Sequence, residues 1–483
     1  MLFNSIDFAI FLPIVFFLYW FVTNKNLKLQ NFIIVVASYT FYGWWDWRFL
    51  SLILFSTIID YSIGYKLSKV ENTSKRKTLL WTSILVNLGL LGFFKYYNFF
   101  LENFVNAFSF FGTPINTQGL NIILPVGISF YTFQTLSYTI DVYKRKLEPT
   151  KDFISFAAFV SFFPQLVAGP IERAKNLLPQ FYKKRIFKYD KAVDGLRQIL
   201  WGLFKKIVIA DNSAQIANEI FNNSDNYSGS TLVLGAVFFT FQIYCDFSGY
   251  SDIAIGTSRL FGFNLKQNFA FPYFSRDIAE FWRRWHISLS TWFRDYLYIP
   301  LRGSRGGIWI TVRNIFAIFI ISGFWHGANW TFIAWGTLNA LYFLPLLLLK
   351  RNRINIDIVA KNKILPTFRE FCQMGFTFSL TVLAWIFFRA ENVSHALSYV
   401  STIFSESLFS IPKMEISRFY TLQVLLVIFF FIIIEWLGRE EDYALSKIVI
   451  FKSPFLRRSF YFIIILLITV FLGAEQQFIY FQF

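Results

Sequence analysis

Apolar positions in this chain come in long unbroken runs, neither alternating nor confined to one face of a helix. LLWTSILVNLGLLGFF from Leu79 and SFYFIIILLITVFLGA from Ser459 each pass through 16 residues without a charge. Runs of this length, without the polar face that a surface helix needs, predict helices that cross a lipid bilayer. Spans are expected over residues 2–22, 79–100, 121–143, 231–247, 372–388, 421–436 and 460–473. Residues 31–65 suit a helical hairpin turning near Trp44, Trp45 and Asp46, and residues 308–325 and 330–349 a second, turning near His326. Residues 153–170 are apolar but interrupted by Pro164, Gly169 and Pro170, and a strongly basic stretch from Arg173 to Lys206 follows. That combination predicts a segment that enters the membrane without crossing it. The expectation is an all-α polytopic membrane protein of about eleven crossings plus one or two re-entrant segments. Residues 1–483 read as one transmembrane domain, with no inverted repeat and no separate soluble part.

Lys and Arg set the expected sidedness. Nothing basic precedes the first run, and Lys25 and Lys28 follow it, which puts the N-terminus outside. Lacking a basic n-region, that run is expected to be a retained span, not a cleaved signal. Lys66, Lys69, Lys75, Arg76 and Lys77 then fall inside, residues 101–120 carry no Lys or Arg and fall outside, and Lys144, Arg145 and Lys146 return inside. On the same count His286 belongs to the inner side and His326 lies near the outer side.

Composition agrees. Charged residues make up 16% of the chain and mean hydropathy is +0.47, against about 25% charged in soluble domains. The net charge of +17 would suit nucleic acid, but no basic soluble domain exists to hold a duplex. The surplus is read as cytoplasmic loops lying against anionic lipid. Cys245 and Cys372 both sit in apolar context and are expected to be small core residues, not a disulfide or metal pair.

One segment fits neither lipid nor water. FWRRWHISLSTWFRDYLYIPLRGSRGG, from Phe281, holds five arginines and one aspartate beside three tryptophans, two phenylalanines and two tyrosines. Its residues admit two readings: an interfacial helix with Arg on headgroups, or the wall of a polar tunnel in which Arg283, Arg284 and Arg294, with Trp285, hold an anionic acyl carrier such as coenzyme A. The chain has three histidines. His395 lies in the polar context ENVSHAL and is expected to be a solvated loop residue. His286 and His326 each follow a tryptophan, Trp285 and Trp325, in apolar surroundings where an ionisable group is expensive and marks function. Gly323 and Gly327 flank the His326 break and allow close backbone approach, and Asn329 stands near enough to orient a carbonyl or the ring. The alternative for this stretch is an aromatic interface belt at a tight turn. GxSxG, HExxH, CxxC and Walker patterns are absent, so no metal is expected.

Five stretches in order resemble the membrane-bound O-acyltransferase (MBOAT) family: LPVGISFYTFQTLSYTIDVY from Leu124, FFPQLVAGPIERA from Phe162, YCDFSGYSDIAIG from Tyr244, the Phe281 segment, and GFWHGANWTFIAWG from Gly323. The likeness runs over essentially the whole chain, including the tail EQQFIYFQF, and is closest to the bacterial branch of the alginate O-acetyltransferase membrane subunit. It implies a ring of helices around a thinned centre, with a cytoplasmic tunnel meeting an outer funnel. It also implies that His326 is the catalytic histidine and His286 the second histidine of the arginine-rich segment. The donor would be acetyl-CoA or a similar thioester. The acceptor would be an extracytoplasmic polysaccharide or an SGNH-type partner protein, and the location the bacterial cytoplasmic membrane. Asp246 and Asn329 are expected in supporting positions around the histidines. A D-alanyl or peptidoglycan acyl-transfer role belongs to the same branch. A transporter or flippase shares the many spans but calls for paired broken helices in a repeat, and a non-catalytic scaffold leaves the buried histidines without a purpose.

Overall fold

Backbone groups at membrane depth have no water to bind, and a helix satisfies them within itself. The computed structural model follows this rule: among the residues it describes, 1–111, 117, 119–167, 169–446, 453–473 and 476–479, there is no strand. Seven helices among them are long and apolar enough to cross a membrane. Part of the expected outer loop (112–116 and 118), Ala168 of the broken segment, and Glu475 and residues 480–483 of the aromatic tail lie outside the described residues. The chain forms two compact units, residues 1–192 with 257–266, and residues 193–256 with 267–483.

The first unit holds α1 (Ile6–Phe17), α2 (Leu27–Gly43), α3 (Leu50–Lys69), α4 (Thr73–Leu91), α5 (Tyr97–Phe110) and α6 (Ile128–Tyr143). The hairpin expected over 31–65 is α2 and α3, joined by a 3-10 turn at Trp47–Phe49. The lysine-rich loop expected at 66–77 is shorter than its charges suggest. α3 runs to Lys69 and α4 starts at Thr73 under an Asn72 cap, so Lys75, Arg76 and Lys77 sit on the first turns of α4. The segment expected to enter without crossing is two short buried helices, α7 (Phe153–Ser161) and α8 (Phe163–Leu166), broken at Phe162. α9 (Ala174–Phe181) follows.

Polar side chains tie this unit together where hydrophobic burial cannot, since lipid is as apolar as the helices. Asp60 on α3 is fully buried. It accepts from Ser83 Oγ at 2.5 Å and Asn87 Nδ2 at 2.8 Å, both on α4, and from Thr139 Oγ1 on α6 at 3.1 Å.

The second unit begins within α10 (Tyr189–Leu203) and continues through α11 (Asp211–Asn222) and most of α12 (Gly229–Leu260). It resumes with α13 (Ile278–Arg284), α14 (Ile287–Phe293), α15 (Ile308–His326), α16 (Trp330–Leu348), α17 (Phe368–Arg389), α18 (Val393–Ile403), α19 (Arg418–Gly438) and α20 (Pro454–Val470). The run expected over 231–247 is only the first half of α12. From Asp246, at the end of that run, the helix goes on to Ser248, Ser251 and Asp252, which end a hydropathy count but are buried. Their partners come from the basic stretch: Lys205 pairs with Asp252 at 2.5 Å, and Lys206 with Asp246 at 2.9 Å and Asp211 at 2.7 Å. α15 and α16 form the expected hairpin and cross closely. A Cβ on Gly323 would collide with the Phe332 carbonyl, and one on Gly336 with that of Phe319.

Two expectations are corrected. Cys245 is buried but Cys372 is exposed. In a membrane protein an apolar neighbourhood marks lipid-facing surface as readily as core, and Phe371 and Phe376 beside Cys372 are exposed as well. His395 is in the first turn of α18, not in a loop, and is only part-exposed. Its Nε2 lies 3.1 Å from Ser224 Oγ, and the Glu391 N–H donates to its Nδ1 at 3.4 Å.

Candidate active site

The arginine-rich segment folds as two short helices with a break at His286. Asp277 caps α13 by accepting from the Glu280 N–H at 2.7 Å. Glu280 is buried and takes two arginines one turn to either side, Arg276 at 3.0 Å and Arg284 at 2.8 Å. Arg284 also donates to the Ala270 carbonyl at 3.1 Å, and Arg283 to the carbonyls of Asn352 at 2.9 Å and Asn355 at 2.7 Å. These guanidinium groups therefore brace the segment against the chain on both sides. That is how Arg283 and Arg284 are tolerated next to a buried aromatic face. Arg294 pairs with its neighbour Asp295 at 2.8 Å, and its side chain remains 58% exposed. Trp285 is buried against Phe269, Phe281 and Trp385, with ring centroids 5.0–5.5 Å apart.

His286 takes a left-handed backbone conformation, φ 43°, which few residues with a Cβ adopt and which clusters at functional sites. A short pairing holds it there: Ile287 N–H donates to the Asn268 carbonyl at 2.8 Å, and Ala270 N–H to that of Arg284 at 2.9 Å. The imidazole is buried, 1% exposed, and meets Phe247 edge-on at 4.6 Å. Its Nδ1 lies 3.0 Å from Asn268 Oδ1.

His326 ends α15 and is buried among Trp325, Trp335 and Phe388, at ring centroid separations of 4.9, 5.4 and 5.4 Å. The Trp325 ring also meets His286, at 6.3 Å. One indole thus touches both imidazoles, and the two histidines share an aromatic wall inside a single unit.

The other expected site residues lie elsewhere. Asn329 caps α16, accepting from Thr331 N–H at 3.0 Å, while its Nδ2 donates to the Glu391 carbonyl at 2.8 Å. Asp246 pairs with Lys206 and accepts from the Ile479 N–H at 2.7 Å. It therefore anchors the chain near its C-terminal end. Neither residue is hydrogen-bonded to a histidine.

Asn268 was not expected from the sequence. It stands thirteen residues before Phe281, where the arginine-rich segment starts, as one more polar residue in NLKQNFAF, and nothing local singles it out. A buried polar cluster was missed for the same reason. Lys205, Ser248, Ser251, Asp252, Asn268 and Glu435 line a cavity of about 10 Å³, room for a single water. Tyr244 donates to Glu435 at 2.7 Å and Gln198 to Asp252 at 2.7 Å. Among the described residues no group of His, Cys, Asp and Glu could hold a metal ion.

The sequence model of the MBOAT, membrane-bound O-acyltransferase family matches residues 142–363, a stretch containing both buried histidines. A probable alginate O-acetylase AlgI of Azotobacter vinelandii is 39% identical over 447 residues, 92% of this chain and 86% of that protein. A peptidoglycan O-acetyltransferase of Helicobacter pylori is 37% identical, over 82% of this chain and 78% of its own. A teichoic acid D-alanyltransferase of Bacillus subtilis is 29% identical over 46% of this chain and 58% of its own. With buried imidazoles in an all-helical, multi-pass body and relatives of this identity across nearly its full length, the chain belongs to the membrane-bound O-acyltransferase family and is an acyltransferase.

Proposed function

We propose that this enzyme passes an acetyl group from a cytoplasmic thioester, acetyl-CoA or a similar carrier, to a hydroxyl of an extracytoplasmic polysaccharide. Transfer is direct or through an SGNH-type partner protein, and the chain works in the bacterial cytoplasmic membrane with its N-terminus outside. The observation that carries the reading is the shared aromatic wall: two buried imidazoles in contact with Trp325. Neutral imidazole is the side chain best matched to proton transfer near pH 7.

In the proposed step His326 takes the proton from the acceptor hydroxyl. The oxygen forms its bond to the thioester carbonyl carbon, the C–S bond breaks, and the thiolate receives the proton from the imidazolium. An ester and a free thiol result, and the histidine is restored. Arg283 and Arg284, already engaged with protein acceptors, serve the donor by holding the segment in shape. Arg294, paired with its neighbour Asp295 but largely exposed, meets the anionic carrier, and Trp285 and Trp325 line the way to His326.

Acetyl is favoured over D-alanyl because the O-acetyl relatives align with most of the chain and the D-alanyl relatives with about half of it. Alginate is the acceptor named for the relatives that cover 92% of the chain, and it is the first acceptor to test. Mass spectrometry of surface glycans from cells carrying the wild-type protein or His326→Ala tests the reading. O-acetylation should depend on His326. Unchanged O-acetylation in a His326→Ala strain with normal protein levels would overturn it.

A further inference from the structure

A backbone N–H can only donate a hydrogen bond. The Ser288 N–H lies 3.2 Å from one terminal atom of the Asn268 amide, so that atom is the oxygen, Oδ1. The amide nitrogen then points to Ser251 Oγ at 3.1 Å, where it donates. Oδ1 has no proton to give, yet it lies 3.0 Å from His286 Nδ1 and accepts from Ser288 Oγ at 2.8 Å. His286 Nδ1 therefore brings the proton of that contact.

A neutral imidazole carries one N–H. With it on Nδ1, Nε2 is left with a lone pair. Nε2 is buried and has no hydrogen-bond partner among the described residues. The rings that meet the imidazole, Phe247, Phe269 and Trp325, make no hydrogen bond to it. A buried acceptor left unpaired is costly, and it persists here on a backbone already held in the left-handed region.

We infer that Asn268 is a positioning residue that locks His286 as the Nδ1–H tautomer, so that His286 meets its substrate through Nε2 as a hydrogen-bond acceptor and not as a donor to an oxyanion. The inference rests on the acyl-transfer reading and deepens it. The matching ligand group bears an N–H, S–H or O–H; with the acceptor hydroxyl given to His326, the groups left are an amide of the thioester's arm and the thiol released when the C–S bond breaks. Both belong to the donor side of the reaction.

The chain has three histidines, which makes the tautomer measurable. Protein carrying ¹⁵N-labelled histidine, reconstituted in liposomes, gives six ring-nitrogen signals, and His286→Gln identifies the pair from His286. The expected wild-type spectrum at pH 7.5 shows Nδ1 protonated and Nε2 bare. Asn268→Leu should abolish that preference. It should also lower kcat for transfer of label from acetyl-CoA by about 10²-fold with KM for the donor changed less than about threefold. Asn268→Asp keeps the shape and stabilises imidazolium, so the acid limb of its rate–pH profile should move to higher pH. Wild-type protein with the proton on Nε2, or an Asn268→Leu variant with an unaltered His286 spectrum and kcat, would overturn the inference. His326→Ala reports separately on the acyl-transfer reading: it should stop transfer with the His286 signals in place. Full transfer by that variant would sink both that reading and the catalytic purpose of Asn268.

Discussion

Asp60 in the first unit and His286 in the second are both buried ionisable groups, and their surroundings are opposite. Asp60 accepts hydrogen bonds from Ser83, Asn87 and Thr139 on two neighbouring helices. Among the described residues His286 is met at one nitrogen only, Nδ1, by Asn268 at 3.0 Å and Ser288 at 3.5 Å. Asp60 sits within a regular helix, and His286 takes a left-handed turn between two short ones. Expense at membrane depth alone would mark both as functional. Completeness of hydrogen bonding divides them. A group whose every acceptor is met holds helices together, and one left with a bare atom awaits a partner the protein does not supply.

The strongest challenge to this division is His326→Ala. We expect transfer to fall about 10³-fold, roughly 4 kcal/mol of transition-state stabilisation, with the purified variant unfolding at the wild-type temperature. A large loss of stability with modest loss of transfer would place His326 with Asp60, among the structural groups.

Asp60→Ala runs the comparison from the other side. It strands three buried donors, and we expect a loss of about 3 kcal/mol of stability, read as a lower unfolding temperature in detergent. Activity per folded molecule should stay within about twofold of wild type. Asp60→Asn, able to accept at one oxygen, should fall between. Transfer abolished in correctly folded Asp60→Ala would mean that bond completeness does not separate the two classes.

Much of this was legible in the sequence. Uncharged runs located helices, seven of them long and apolar enough to cross a membrane, because lipid imposes one requirement on every span; the break expected at Pro164 falls at Phe162, with Pro164 in the first turn of α8, and the break after His326 falls where expected. The tryptophan–histidine pairs pointed to the aromatic wall before any geometry was known. Pairing across distance could not be read. Lys205 and Lys206 look like the end of a solvated basic stretch, and only the fold brings Asp252, Asp211 and Asp246 to them. Arg283 and Arg284 look unpaired in sequence, yet a carboxylate one turn away and a loop some seventy residues on occupy them. Asn268 has no signal at all, since its importance is a hydrogen bond made across 18 residues.

The α15–α16 crossing sharpens the comparison at a smaller scale, because it bears on His326 through packing alone. Gly323→Ala would drive a methyl group into the Phe332 carbonyl. Separating the helices to admit it should cost about 2 kcal/mol. Since His326 lies one turn beyond on the same helix, transfer per folded molecule should fall too, by about tenfold. A destabilised variant with full activity would show that the position of His326 does not depend on the crossing.

Asn329 gives the smallest effect and the finest distinction. It stands three residues from His326, close enough in sequence to pass for a catalytic partner, yet both ends of its amide are committed: Oδ1 to the Thr331 N–H and Nδ2 to the Glu391 carbonyl. By the rule that separates Asp60 from His286 it belongs with Asp60. Asn329→Asp keeps the cap and loses only the donation to Glu391, so it should be nearly neutral in stability. Asn329→Ala removes the cap as well and should cost about 1 kcal/mol. In neither variant should the pH dependence of transfer move, because no histidine proton is shared with Asn329. A shifted profile in Asn329→Asp, where a new carboxylate stands in an unchanged position, would reveal electrostatic contact with His326 and return Asn329 to the reacting groups.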